Sequence, residues 1–170
     1  GDVSLRTDGA LAIAALTRTA GNVTLNAGTT ISQTGDVEIG AGTLNLTGTT
    51  ITLANAANTF GATTVNTGAG DVSLRTDGNL TVEAIARTAG NLILNANNNA
   101  GDIIQGAGVI SIGTGTADLT GANITLGNAN VMGDITVNAG TGNVSITENS
   151  AITLAGVTHT GNLTLNAGAN

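Results

Sequence analysis

Residues 1–9 read GDVSLRTDG, and residues 70–78 read GDVSLRTDG again. The likeness extends outward from this nonapeptide. RTAGN at 18–22 returns at 87–91, and LNA at 25–27 returns at 94–96. LTG followed by ITL, at 46–48 and 51–53, returns at 119–121 and 124–126. A third copy starts near Gly142 with GNVSI and runs through GNLTLNAG at 161–168. Self-similarity at a fixed period marks repeat architectures, in which each unit buries its apolar face only by stacking on its neighbours. The chain therefore reads as one β-solenoid segment over residues 1–170, with long repeats 1–69, 70–141 and a partial 142–170.

A shorter unit lies inside the long one. Apolar–polar–apolar triplets such as Val3–Leu5, Leu11–Ile13, Val23–Leu25, Val37–Ile39 and Leu44–Leu46 continue along the chain to Leu163–Leu165. Alternation of period two over short runs is the signature of a half-buried strand. The strands are introduced by Gly-(Asp/Asn)-(Val/Ile/Leu), which occurs ten times, from 1–3 to 161–163. Gly allows a tight turn and an Asx side chain bonds back to nearby backbone, so this tripeptide is a turn that feeds a strand. Helix is excluded by the glycine frequency and by the absence of any 3.6-residue period. No Asn-Gly turn signals a hairpin. The reading is an all-β, right-handed parallel β-helix with three short strands per turn. Three turns per long repeat, about 23 residues each, give about 7–8 turns, and equivalent positions of successive repeats are expected to stack.

Composition supports a narrow, uniform core. The apolar fraction is 41 %, almost wholly Ala, Val, Ile and Leu, which is too apolar for a disordered chain. Phe60 is the sole aromatic; it and Met132 occupy equivalent repeat positions and read as corner fillers. Net charge is −7 with no Lys and four Arg, a surface that repels nucleic acid. No apolar run is long enough to span a bilayer, and no cysteine reports on the redox compartment. The chain opens directly on a strand pattern and stops within a repeat. An export signal and further coils are therefore expected outside this piece.

GNVTLNAG (21–28), GNLILNAN (90–97) and GNLTLNAG (161–168), spaced by GTLNLTGTTITL (42–53), resemble the filamentous-haemagglutinin-like exoproteins of bacterial two-partner secretion. The resemblance covers the whole chain and rests on a low-complexity coil pattern. It implies a right-handed β-helix shaft exported to the cell surface as an adhesin, filament or toxin-bearing stalk. Asn-Pro-Asn motifs mark that family's secretion domain, and this chain has no Pro, so it looks like central shaft. Large autotransporter passengers look similar.

Parallel β-helices include carbohydrate-acting enzymes, which need two carboxylates about 5–10 Å apart. Asp36 and Glu38 are the best local pair, but the second repeat does not reproduce them, and five of the eight Asp fill the Gly-Asp turn slot. GAGDV (68–72) and GTGTADL (113–119) echo calcium-binding nonapeptides without their tandem period. His159 aligns with Arg18 and Arg87, a position read as solvated, and has no partners for a zinc site. Arg6–Asp8 and Arg75–Asp77 read as exposed local ion pairs at the same place in successive repeats, three turns and roughly 14 Å apart. The Asn-x-Thr/Ser sequons at Asn22, Asn45, Asn79, Asn123, Asn143 and Asn162 are by-products of strand alternation. Thr-x-Thr at 17–19, 50–52, 114–116 and 158–160 raises an ice-binding face, although strand propensity accounts for the threonines. Ile93, where the repeat partner is Thr24, is expected to face outward.

The functional expectation is a structural shaft or filament segment of a secreted bacterial surface protein, extracellular and without catalysis. The alternatives are a carbohydrate-acting β-helix enzyme and an ice-binding solenoid. No catalytic, metal or cofactor residue is assigned. Expected partners are the continuing β-helix of the same chain or end-to-end copies of itself, with host-cell or neighbour-cell surfaces reached through other regions. Neither nucleic-acid binding nor membrane insertion of this segment is expected.

Overall fold

Alternating aliphatics separated by Gly-Asx turns build strands that can bury one face only against copies of themselves. A computed structural model describes residues 1–66 and 68–168. Its strands begin with β1 (Val3–Thr7), β2 (Leu11–Ile13), β3 (Leu16–Ala20), β4 (Val23–Ala27), β5 (Thr30–Gln33), β6 (Val37–Ala41) and β7 (Thr43–Thr47). They continue with β8 (Thr50–Leu53), β9 (Ala62–Val65), β10 (Val72–Thr76), β11 (Leu80–Ala86), β12 (Leu92–Ala96), β13 (Ile103–Gln105) and β14 (Ile110–Ser111). The last are β15 (Thr116–Thr120), β16 (Ile124–Asn130), β17 (Asp134–Gly140), β18 (Val144–Glu148), β19 (Thr153–His159) and β20 (Leu163–Asn166). Among the described residues the one helical piece is a 3-10 turn at Asn97–Asn99.

All pairings between these strands are parallel, and they form three sheets. The first runs β1-β4-β7-β9-β11-β13-β16-β18-β20, with β14 also on β11. The second runs β2-β5-β8-β10-β12-β15-β17-β19, and the third pairs β3 with β6. The nine strands of the first path give eight steps, so the molecule is a parallel β-solenoid of about eight turns. At about 4.8 Å per step its axis is roughly 38 Å long. The sheets enclose one continuous core of Val, Ile, Leu and Ala, with Met132 inside it and Phe60 packed half-buried against it. Triplet centres such as Ser4, Thr24, Thr52 and Thr125 lie outside the core and are half-buried or exposed. Ile93 is exposed, as its position predicts.

Two expectations need correction. Most coils are shorter than 23 residues: Val3 pairs with Val23, Val23 with Leu44, and Leu44 with Thr63, whereas the step from Leu80 to Ile103 spans 23 and that from Leu92 to Ala117 spans 25. Nor do the long repeats stack in register. Three coils carry the chain from Val3 to Thr63, so the 69-residue step from Gly1 to Gly70 leaves nine residues over, enough to advance one strand further. The repeated strand β10 therefore lies in the second sheet, although its twin β1 lies in the first. The exchange is systematic. The first-sheet strands β4 and β7 have counterparts β12 and β15 in the second sheet, while β2, β5 and β8 of the second sheet have counterparts β11, β13 and β16 in the first. Arg6 and Arg75 consequently lie on different sheets rather than in one column.

The exchange happens by moving the third side of the coil. In the first repeat the third side lies between the second sheet and the first, as β3, β6 and the Glu38–Thr59 bridge. It closes to a corner at Asn58, whose carbonyl accepts the Asp77 N–H at 2.8 Å. A new third side opens between β9 and β10 and is continued by the bridges Ala89–Thr114 and Ser111–Val131. Three extra residues at Asn97–Asn99, all with positive φ (49°, 46° and 75°), lengthen the turn after β12 relative to that after β4. Asparagine is the non-glycine residue that best tolerates this conformation.

Candidate functional site

The Gly-Asx turns are the most repeated polar feature, and their chemistry differs from a local Asx turn. Asp2 Oδ1 accepts the backbone N–H of Asn22, one coil on, at 2.8 Å, and Asn22 Oδ1 accepts that of Thr43 at 3.0 Å. A second ladder runs from Asp71 to Asn91 and Thr116. A third runs from Asn79 through Asp102, Asn123 and Asn143 to Asn162. The side chain thus bonds the next coil, about 20 residues away, and satisfies a corner N–H that no strand partner reaches. Five of the six sequon asparagines belong to these ladders. The preceding glycines are required by close approach. A Cβ on Gly21 would stand 2.5 Å from the Gly1 carbonyl oxygen, and one on Gly90 would stand 2.3 Å from that of Gly70. Both also have positive φ, 95° and 100°.

At the corners where a third side closes, the same buried polar clamp occurs twice. Asn58 Oδ1 accepts the Val37 N–H and the Gln33 side-chain amide, each at 2.8 Å. Asn58 Nδ2 donates to Gln33 Oε1 at 2.9 Å and to the Arg75 carbonyl at 3.1 Å. Asn130 repeats every contact. It accepts from Ile110 N at 2.8 Å and Gln105 Nε2 at 2.6 Å, and donates to Gln105 Oε1 and the Thr147 carbonyl at 3.1 Å each. Both asparagines are fully buried. Strand periodicity did not single them out. A signal was present: the chain holds just two glutamines, Gln33 and Gln105, and each is 25 residues before its asparagine.

Where the new third side opens, Arg87 overturns the expectation of a solvated position. It is 5 % exposed, and its guanidinium donates to the carbonyls of Gly48 (2.8 Å), Gly70 (2.7 Å), Asn66 (3.4 Å) and Thr49. Burial lowers its pKa and the nearby Asp71 charge opposes that shift. The contacts come from Nη1 and Nη2, the planar fork that suits a nest of carbonyls at an opening coil, while the buried Nε has no partner. Arg18, the same residue one repeat earlier, donates to the Gly1 carbonyl and is half-buried. His159 is half-buried with Nδ1 unpartnered. Nor does strand periodicity mark Glu148. It is 2 % exposed, accepts the Met132 N–H at 3.0 Å through Oε2, and leaves Oε1 without a partner. Desolvation holds its carboxyl above the usual glutamate range, partly offset by that hydrogen bond.

The residues considered for chemistry are dispersed. Asp36 accepts a long bond (3.4 Å) from Asn55, and exposed Glu38 accepts one from Thr17 at 3.2 Å. Asp71 belongs to a ladder, and Asp118 pairs in register between Ile93 and Thr136. Thr17 and Thr19 lie on the third sheet and Thr50 and Thr52 on the second, so these pairs do not share one face. Among the described residues there is no pocket and no group of three or more His, Asp or Glu placed to hold a metal ion.

A family model described as "Repeats of unknown function (DUF5649)" matches residues 1–67 and again 69–139. The chain belongs to that family. The two DUF5649 matches begin close to the two copies of GDVSLRTDG, so each family unit carries one set of strands, one clamp asparagine and one arginine of the RTAGN motif. No curated protein and no solved structure matches this DUF5649 chain.

Proposed function

We propose that this DUF5649 chain is a rigid shaft segment of a secreted bacterial surface protein, an adhesin or extracellular fibre, and that it acts as a spacer without catalysis. One observation carries the reading: the inward aliphatics, the glycine corners, the Asx ladders and the buried clamps all bond coil to coil along the axis. Such a design resists bending and adds length with each repeat. The resemblance of GNVTLNAG, GNLILNAN and GNLTLNAG to filamentous-haemagglutinin-like shafts supports the extracellular placement. An absence of Lys, and arginines set in closed coils, suit exposure to proteases.

Two measurements test this. Small-angle scattering on chains with one to four added repeats is expected to show length growing by roughly 16 Å per repeat at constant cross-section; growth in girth instead of length sinks the shaft reading. Antibodies raised against the chain are expected to label intact cells, and a polysaccharide panel incubated with it is expected to release no product. Unlabelled cells overturn the surface placement, and cleavage of any polymer overturns the non-catalytic one.

A further inference from the structure

The core holds strand β15 less firmly than it holds β7, the equivalent strand of the first repeat. The inward positions of β15 are Ala117 and Leu119, where β7 has Leu44 and Leu46. Ala117 pairs with Leu92 of β12 on one side and Ile135 of β17 on the other, so one rung of the stack is a single methyl group. The coil that leads to it is also long: 25 residues from Leu92 to Ala117, against 21 from Val23 to Leu44. A slip of two residues keeps inward side chains inward, so alternation alone does not fix the register of such a strand. At its start β15 is fixed by the Asx ladder, in which Asn91 Oδ1 accepts the Thr116 N–H at 3.1 Å. Its C-terminal end is reached by the extra residues Asn97–Asn99.

Asn97 Nδ2 reaches back one coil and donates to the Asp77 carbonyl, just past β10, at 3.0 Å. Asn99 Nδ2 reaches forward and donates to Asn138 Oδ1 at 3.2 Å. Asn138 lies in β17, two coils beyond β12, because Asn95 pairs with Thr120 and Thr120 pairs with Asn138. The two ties therefore straddle the end of β15. Between them Asn95 and Asn98 bond reciprocally: Asn95 Oδ1 accepts the Asn98 N–H at 2.8 Å, and Asn95 Nδ2 donates to Asn98 Oδ1 at 3.0 Å. Asn99 is lodged rather than dangling, since its Oδ1 is shielded from solvent and a Cβ on Gly140 would stand 3.7 Å from the Asn99 Cβ. Three successive non-glycine residues with positive φ are costly, and they persist where surrounding contacts hold them. The first repeat has no such segment; there the chain turns from β4 at Gly28, whose N–H bonds the Thr7 carbonyl at 3.0 Å.

We propose that Asn97–Asn99 is a strap across the C-terminal end of β15, tying the coil of β10 and β12 to β17 so that β15 is held in register at both of its ends. In a stack of nearest-neighbour contacts a coil that opens uncovers the coils on either side, so a strap at a thinly packed rung limits local opening of the whole shaft. A merely tolerated surface loop behaves in the opposite way: shortening it lowers the entropy cost of closure, and stability stays level or rises. This goes beyond the shaft reading and holds for whatever the solenoid carries.

Amide hydrogen exchange, read by mass spectrometry on peptides covering β15 and, as an internal reference, β7, tests the proposal. The double variant Asn97→Ala with Asn99→Ala keeps the loop length and removes both ties. It is expected to speed exchange across Thr116–Thr120 about tenfold or more, the effect of losing two hydrogen bonds. Deletion of residues 97–99 is expected to do the same, while exchange in β7 changes by less than about twofold in either variant. Asn98→Gly, which keeps both ties and adopts positive φ without cost, is expected to leave both strands within about twofold of the unaltered chain. Circular dichroism checks the strand signal of each variant, and the length-matched double variant carries the test where the deletion does not fold. Unchanged or slower exchange in β15 overturns the proposal. Equal acceleration of β7 and β15 overturns it in favour of a general loss of stability, and acceleration by the deletion alone overturns the part assigned to the two amides.

Discussion

The two corners at which a third side closes, Asn58 and Asn130, are built alike, whereas the openings that accompany them are not. Each corner buries an asparagine that ties a glutamine, a strand N–H and a carbonyl of the following repeat into one network. At the first opening Arg87 fills a nest of four carbonyls. At the second, His159 stands in its place with an unpartnered Nδ1, and buried Glu148 replaces Thr76, which bonds the Gly78 carbonyl at 2.8 Å. The clamp is thus what the exchange of sheets requires, because closing a side strands backbone groups that only a donor–acceptor side chain can satisfy. The opening carries different side chains at the two places, a forked guanidinium at one and an imidazole at the other.

The sharpest way to break this comparison is at the clamps. Asn58→Leu and Asn130→Leu each leave an N–H and a carbonyl unpaired at a buried corner and remove two of the hydrogen bonds of a glutamine, and each is expected to destabilise by about 3–4 kcal/mol in urea unfolding. A large inequality between them would show that the corners are not equivalent. The openings should separate next. Arg87→Ala is expected to destabilise by about 2–3 kcal/mol, with Arg87→Lys no real rescue, while His159→Ala changes stability by less than about 0.5 kcal/mol.

Glu148 supplies a test in pH. Its native pKa is raised by desolvation, so the native state holds the proton more tightly than the unfolded chain. Its contribution to stability is full below the ordinary glutamate pKa and is lost as pH rises through the native value. Stability is therefore expected to fall with rising pH just above the usual glutamate range. Glu148→Gln removes that slope and raises neutral-pH stability by about 1 kcal/mol, read from denaturant midpoints at several pH values. The smallest effect belongs to the ladders. Asp102→Asn keeps the Oδ1 that accepts from Asn123 and matches the other rungs, so thermal unfolding should report a change within about 0.5 kcal/mol.

Most strands were legible because an inward aliphatic stands at every second residue. The strands that pattern passes over are those whose inward positions hold something else: Arg18 in β3, Gln33 in β5, Thr63 in β9, Gln105 in β13 and Ala117 in β15. These include the residues that organise the junctions. A side chain that serves a corner satisfies polar backbone there instead of filling the core, and it vanishes from a hydrophobic pattern for that reason. Periodicity therefore finds the wall of the solenoid and passes over its joints.

The sequence alone determined that this chain is a stack of parallel strands turned by glycine and Asx, since period-two alternation and close-approach glycines allow little else. Membership of DUF5649 is likewise written in the repeats. Only the tertiary structure decided how the repeats relate. A 69-residue period divided by coils of about 20 residues leaves a remainder, and that remainder moves each repeat onto the neighbouring sheet. Coil length is set by where corners close in space, through hydrogen bonds between residues about 20 to 40 apart, such as Asn58 to Gln33 and Arg87 to Gly48. No local pattern encodes that closure, so identical nonapeptides can occupy different faces of the same shaft.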